Sequence, residues 1–163
     1  MKLNYLKIIC ISIPLALSSC GYSMRGTINI PDLIKSVSVQ SSEYSELVDI
    51  INASLVASDI NLSTSKNKDI YKILILSENF NRRQLSINIS GRVNEYELIY
   101  DVNFELQAPN KKAVKEKITL YRDYSFDENN VMGNTDREDE IRKNMMSTAS
   151  SLIFHKLKAS ANK

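Results

Sequence analysis

The chain has 163 residues, room for one domain of ordinary size, and its 43% hydrophobic and 25% charged content is that of a folded globular protein. Lys and Arg total 21 against 19 acidic residues, and both Lys2 and Lys7 precede Cys20, where no Asp or Glu occurs. Without that segment the charges balance, leaving no basic surplus of the kind that nucleic-acid binding needs.

Residues 1–19 read as a signal peptide. Lys2 and Lys7 supply a positive start, Ile8 to Leu17 an apolar run, and Leu17-Ser18-Ser19-Cys20 a lipoprotein cleavage site. The run is shorter than the roughly 20 apolar residues that span a bilayer. Cys20 is thus the expected lipid anchor, carrying diacylglycerol and an amide-linked acyl chain such as palmitate. Gly21 follows it, where an Asp would favour inner-membrane retention, so the expected address is the outer membrane. At about 0.8 kcal/mol per buried CH₂, three acyl chains hold permanently. Cys10 leaves with the signal, so no thiol remains for a disulfide or a thiolate metal site.

Residues 20–163 are expected to form a single domain, with 20–35 as its tether. Ser36 to Gln40 alternates and predicts a strand. Tyr44, Leu47, Val48, Ile51 and Leu55 form one stripe of an amphipathic helix, with Ser41 or Ser42 as its N-cap. Ile70 to Leu76 is a short apolar run rich in β-branched residues, a largely buried strand.

Leu85, Ile87 and Ile89 alternate with polar residues, and Gly91 marks a bulge or bend. Beyond it Tyr96, Leu98, Tyr100, Val102, Phe104 and Leu106 keep period two with only Ile99 out of pattern, so one sheet face is buried and the other meets water or a polar partner. Pro109-Asn110 predicts a hairpin turn, and Val114, Ile118, Leu120, Tyr124 and Phe126 a return strand. Thr135 and Glu138 read as a capping box opening a second helix, with Asp136, Glu138, Asp139 and Glu140 in its first turn and a stripe from Ile141 to Leu157. The expected fold is α+β, a two-layer sandwich: a mixed four-stranded sheet with two helices packed on one face.

Little in the residues supports catalysis. His155 is the single histidine, no G-x-S-x-G elbow or glycine-rich phosphate loop is present, and helix N-terminal charge accounts for the acidic cluster. The expectation is a binding or assembly module and not an enzyme, with no cofactor or metal beyond the covalent lipid on Cys20.

Several motifs, in order, resemble the lipopolysaccharide-assembly lipoprotein family LptE. These are Cys20-Gly21-Tyr22-Ser23-Met24-Arg25-Gly26 at the anchor, Arg83-Gln84-Leu85-Ser86, Gly91-Arg92-Val93-Asn94-Glu95-Tyr96-Glu97-Leu98, Arg122-Asp123-Tyr124-Ser125-Phe126-Asp127, Val131-Met132-Gly133, and Glu138 to Glu140. One departure is Ser58-Asp59-Ile60 at the end of the first helix, where the family usually has a glycine cap.

The resemblance implies a plug within the lumen of the outer-membrane β-barrel LptD, on the periplasmic side. There the pair inserts lipopolysaccharide into the outer leaflet, and the lipoprotein helps the barrel fold. It also implies lipopolysaccharide contact through basic residues near one end. Arg92 and Arg137 are the candidates, with Arg82 and Arg83 nearby, since guanidinium suits bidentate phosphate contact. Solvated surface arginines or contacts with the barrel wall would look the same in sequence. The expected partners are therefore LptD, lipopolysaccharide and the membrane, with no nucleic acid. A free-standing lipid carrier is the alternative, and it would need a pocket for acyl chains. A hydrolase of envelope polymers would need convergent catalytic groups.

Overall fold

A computed structural model describes residues 34–64 and 69–161. The expected signal peptide, Cys20 and most of the tether lie outside the described residues. Five strands form one sheet: β1 (Ser36–Ser41), β2 (Asn61–Leu62), β3 (Tyr71–Ile87), β4 (Val93–Gln107) and β5 (Val114–Ser125). Helix α1 (Glu46–Ala57) follows β1, and α2 (Val131–Ala161) follows β5. The sheet order is β2-β1-β3-β4-β5. β1 pairs in parallel with both β2 and β3, while β3–β4 and β4–β5 are antiparallel.

The α+β sandwich with a mixed sheet is as expected, but the sheet has five strands, not four. The addition is the two-residue β2, too short to leave a period-two pattern. It lies on the edge of β1, where a long exposed strand would invite aggregation.

Both helices bury their stripes on one sheet face. Leu47, Ile51 and Leu55 of α1 and Met145, Ala149, Ile153, Phe154 and Leu157 of α2 join Val37, Ile73, Ile75, Leu98, Tyr100, Val102 and Phe104 in one core. Tyr44, expected in the first stripe, is 90% exposed and lies ahead of the helix. The N-cap is Ser45, not Ser41 or Ser42: its Oγ accepts from the Val48 amide at 3.1 Å. Ser41 is held by β1, and the Ser42 amide still donates to the Ile75 carbonyl. Glu46 and Asp49 stand in the first turn, where the helix dipole favours them.

The segment around Gly91 is a full reversal rather than a bulge or bend within one strand. The Gly91 amide donates to the Asn88 carbonyl, and Asn88 Oδ1 accepts from the amides of Ser90 and Arg92. Gly91 has φ +74°, which a hairpin turn requires and a Cβ would penalise. Leu85, Ile87 and Ile89 therefore stand at an exposed hairpin tip, Ile89 fully so, and not on a buried face. Val114, counted on the buried face of the return strand, is also exposed.

The second helix starts four residues before Thr135, and the expected capping box does not form. Asn130 Oδ1 accepts from the Gly133 amide at 3.0 Å, and the Thr135 hydroxyl donates to the Val131 carbonyl inside the helix. Asp136, Asp139 and Glu140 consequently lie in its second and third turns. Glu138 turns to the sheet.

Candidate functional site

β3 changes face partway along. A register shift between Ile75 and Ser77 carries Glu78, Phe80 and Arg82 onto the helix-covered side, opposite Val102, Tyr100 and Leu98. Above this level the sheet consists of β3–β5 alone, and the first half of α2 lies over it.

There Glu138 gathers three donors. Arg82 Nη1 donates to Oε2 at 3.0 Å, the Tyr124 hydroxyl to the same oxygen at 2.7 Å, and Arg142 Nη2 and Nε to Oε1 at 2.8 and 3.1 Å. Arg82 stacks over the Tyr96 ring at 4.5 Å and Arg142 over Phe80 at 4.7 Å. Phe80 and Tyr100 stack in turn, centroids 4.0 Å apart. Burial pushes the Glu138 carboxyl up, but hydrogen bonds from Arg142, Tyr124 and Arg82 outweigh it and hold the group below its ordinary value. Burial, reinforced by Glu138, raises the Tyr124 phenol; burial and then Glu78 raise that of Tyr100.

The four candidate arginines are thus unlike one another. Arg82 belongs to this clamp, and Arg83 pairs with Glu97 on β4. Arg92 donates to Glu128 at 2.6 Å, joining the β3–β4 turn to the segment before α2. Arg137 is exposed and makes no ion pair with any described residue. The fold brings Arg92 and Arg137 to the same end of the molecule, and it gives Arg82 a structural partner that sequence spacing did not disclose. The missed members of the cluster are Tyr124 and Arg142. The second was accessible in principle, since Glu138 and Arg142 stand at i and i+4.

The opposite sheet face is open and polar. Ser86 donates to Glu95, Thr119 to Asp101 and Asn103 to Ser77, and Lys117 lies 2.9 Å from Asp101. The hydrogen bond from Thr119, with Lys117 beside it, lowers the Asp101 carboxyl. This face is a lattice of cross-strand polar pairs. Three surface depressions have volumes of ≈ 350 to 440 Å³. One, by the clamp, is lined by Arg82, Tyr124, Phe126, Val131 and Glu138. Among the described residues no group of His, Cys, Asp and Glu could hold a metal ion, and no helix is long and apolar enough to cross a membrane.

This architecture defines a small α+β sandwich shared with bacterial lipoproteins of solved structure. Rare lipoprotein B from Shewanella oneidensis is 28% identical with a TM-score of 0.72, over 77% of this chain and 96% of that one. Lipoprotein B from Nitrosomonas europaea, at 21% identity and TM-score 0.72 over 87% of this chain and 93% of that one, shares the fold. The family model LptE, described as lipopolysaccharide-assembly, matches residues 34–157, and the chain belongs to that family. Similar curated relatives are the LPS-assembly lipoproteins LptE of Pectobacterium atrosepticum and Yersinia enterocolitica. The first is 23% identical over 142 residues, covering 86% of this chain and 77% of its own. The second is 22% identical over 145 residues, covering 88% and 70%.

Proposed function

We propose that this protein is the lipoprotein partner of an outer-membrane LptD-type β-barrel, anchored through Cys20, and that the pair inserts lipopolysaccharide into the outer leaflet. The protein acts as plug and assembly factor on the periplasmic side of the barrel lumen, without catalysis. Two relatives named LPS-assembly lipoprotein LptE support the assembly role.

The observation that carries the plug reading is the uncovered face of β3–β5. Glu97 pairs there with Arg83 and Asp101 with Lys117 and Thr119, while Asp123 beside Glu97 is open to solvent, so the face suits a water-lined wall. The other face is filled by helix stripes, with Leu98, Tyr100, Val102 and Phe104 fully buried, which counts against a free-standing carrier with acyl chains in its interior. Arg92 and Arg137 are the residues offered to lipopolysaccharide phosphates.

The test is affinity purification of the full-length lipoprotein from detergent-solubilised membranes. A large β-barrel protein is expected at equal stoichiometry, and Cys20→Ala is expected to release the protein from the membrane fraction. A lipoprotein that comes out alone overturns the plug reading. Arg92→Gln with Arg137→Gln is expected to weaken lipopolysaccharide capture and to leave barrel recovery unchanged.

A further inference from the structure

The end of the sandwich where the tether joins differs in charge chemistry from the other end. Ile34 opens the described chain, and the Lys35 carbonyl accepts from the Asn61 amide at 3.1 Å beside the start of β1. The start of β3, the turn between β4 and β5, and the last turns of α2 lie at the same end. Lys72 pairs with Gln107 in the ladder, Asn110 donates to Asp69 at 3.2 Å, and Lys156 reaches Glu116 at 2.7 Å.

Lysines collect here. Every described lysine but Lys143 stands at this end or in the first residues of β5, and every described arginine at or beyond the Phe80–Tyr100 level. Lys111 and Lys112 are exposed on the turn, and Lys158 stands in the last turn of α2. A depression of ≈ 350 Å³ lies among them, with Leu106, Ala108 and Val114 in its wall and Lys111, Lys112 and Lys156 around it. Val114 is 57% exposed beside Lys111 and Lys112, and Glu116, which holds Lys156, completes the charged lining.

An apolar patch rimmed by lysines matches the headgroup region of a bilayer. Lysine stems lie along apolar surface while their ammonium groups reach phosphate, and anionic leaflets attract such clusters. Ile34 lies fourteen positions beyond Cys20, a reach of at most about 50 Å, so an anchored chain holds this end near the leaflet at high local concentration. We propose that the tether end docks on the phospholipid leaflet that holds the Cys20 acyl chains, with Lys111, Lys112 and Lys158 on anionic headgroups and Val114 at the headgroup boundary. This rests on the anchoring of Cys20 and deepens the proposed function, since docking fixes the long axis of the domain relative to the bilayer.

The test uses the full-length processed lipoprotein in vesicles of phosphatidylethanolamine, alone or with a quarter phosphatidylglycerol, carrying a headgroup-attached quencher. A fluorophore is placed at Ala159→Cys beside the depression, or at Ile89→Cys on the far hairpin. Cys10 has left with the signal and Cys20 is alkylated, so each variant has one thiol. Quenching at Ala159 is expected with phosphatidylglycerol, to fall in high salt, and to be absent at Ile89. Lys111→Gln and Lys112→Gln each lower the docked-to-free ratio roughly fivefold. Protein that floats with the vesicles but shows equal quenching at both sites, or quenching indifferent to salt, headgroup and lysines, overturns the docking alone. Protein that does not float, or takes label at Cys20, overturns the anchoring and the docking with it.

Discussion

Glu138 of α2 and Arg82 of β3 meet at 3.0 Å across 56 positions of the chain. The same carboxylate takes the Tyr124 hydroxyl from β5 and Arg142 from its own helix, so one side chain ties α2 to two strands. The contact falls where α1, which packs on β1 and β2, no longer helps cover the sheet. It fastens the half of the sandwich that carries Arg92 and Arg137.

Replacing Glu138 by Gln should therefore cost about 2 kcal/mol, because two guanidinium groups lose their counter-charge and an amide NH2 replaces one of two oxygens that both accept from donors. The folded-state carboxyl is held below its ordinary value of 4.5, so its contribution is complete above that pH and lost as pH falls through the depressed value. Urea midpoints should decline below about pH 4.5 in the parent protein. The decline should be shallower in Glu138→Gln. Parallel curves for the two proteins would refute the clamp.

Asn134 closes the joint between β5 and α2. Its Oδ1 accepts from the Asp127 amide at 3.0 Å and its Nδ2 donates to the Asp127 carbonyl at 2.6 Å, within a nearly buried setting. Asn134→Ala strands the Asp127 amide, while the Asp127 carbonyl keeps the Asn130 amide at 3.1 Å, and should cost about 1–2 kcal/mol. Hydrogen exchange at the Asp127 amide should accelerate by more than the global loss explains. Uniform acceleration along the chain would mean that Asn134 contributes only to global stability.

The contrast between these two sites and the core shows what a sequence can display. Tyr96 to Leu106 alternate with only Ile99 out of pattern, so the burial of one face is legible, as are the Leu47, Ile51 and Leu55 stripe and the turn after Gln107. The shift between Ile75 and Ser77 breaks the period on β3, and beyond it Arg82 faces α2 while a two-residue pattern alone reads it as surface. Thr135, three residues before Glu138, makes that carboxylate resemble helix-end charge, although the hydrogen bond of Asn130 starts the helix earlier. The long-range pairing of two charged residues has no periodicity. It becomes visible only when the register is known.

Gly133 offers a test of that helix start. A Cβ built there would lie 2.4 Å from Asn130 Nδ2, on the side chain that caps the helix. Gly→Ala inside a helix ordinarily stabilises by about 1 kcal/mol, and losing a cap costs about as much. Gly133→Ala alone should therefore leave the thermal midpoint nearly unchanged, while the same change in an Asn130→Ala background should raise it. A gain of the same size in both backgrounds would show that Asn130 does not cap α2.

The end of α1 carries the opposite imbalance, a strained residue where a glycine would rest. The Ile60 amide donates to the Leu55 carbonyl and the Asp59 amide to the Val56 carbonyl, the paired bonds of a Schellman motif, with Ile60 and Leu55 both buried. This geometry requires a left-handed residue at position 59, and Asp59 supplies it with φ +58°. The turn is thus built on the usual hydrogen bonds even though the glycine expected of the family is missing. An L residue there costs about 1 kcal/mol, partly offset by the greater entropy that glycine loses on folding, and a carboxylate at a helix C-terminus opposes the dipole. Asp59→Gly should stabilise by about 0.5–1 kcal/mol in urea unfolding. Asp59→Asn, which removes the charge and keeps the side chain, should fall between them, and Asp59→Val should destabilise. The order Gly, Asn, Asp, Val is what the left-handed backbone dictates; a glycine variant less stable than the parent would mean that the Asp59 side chain makes a compensating contact at the tether end.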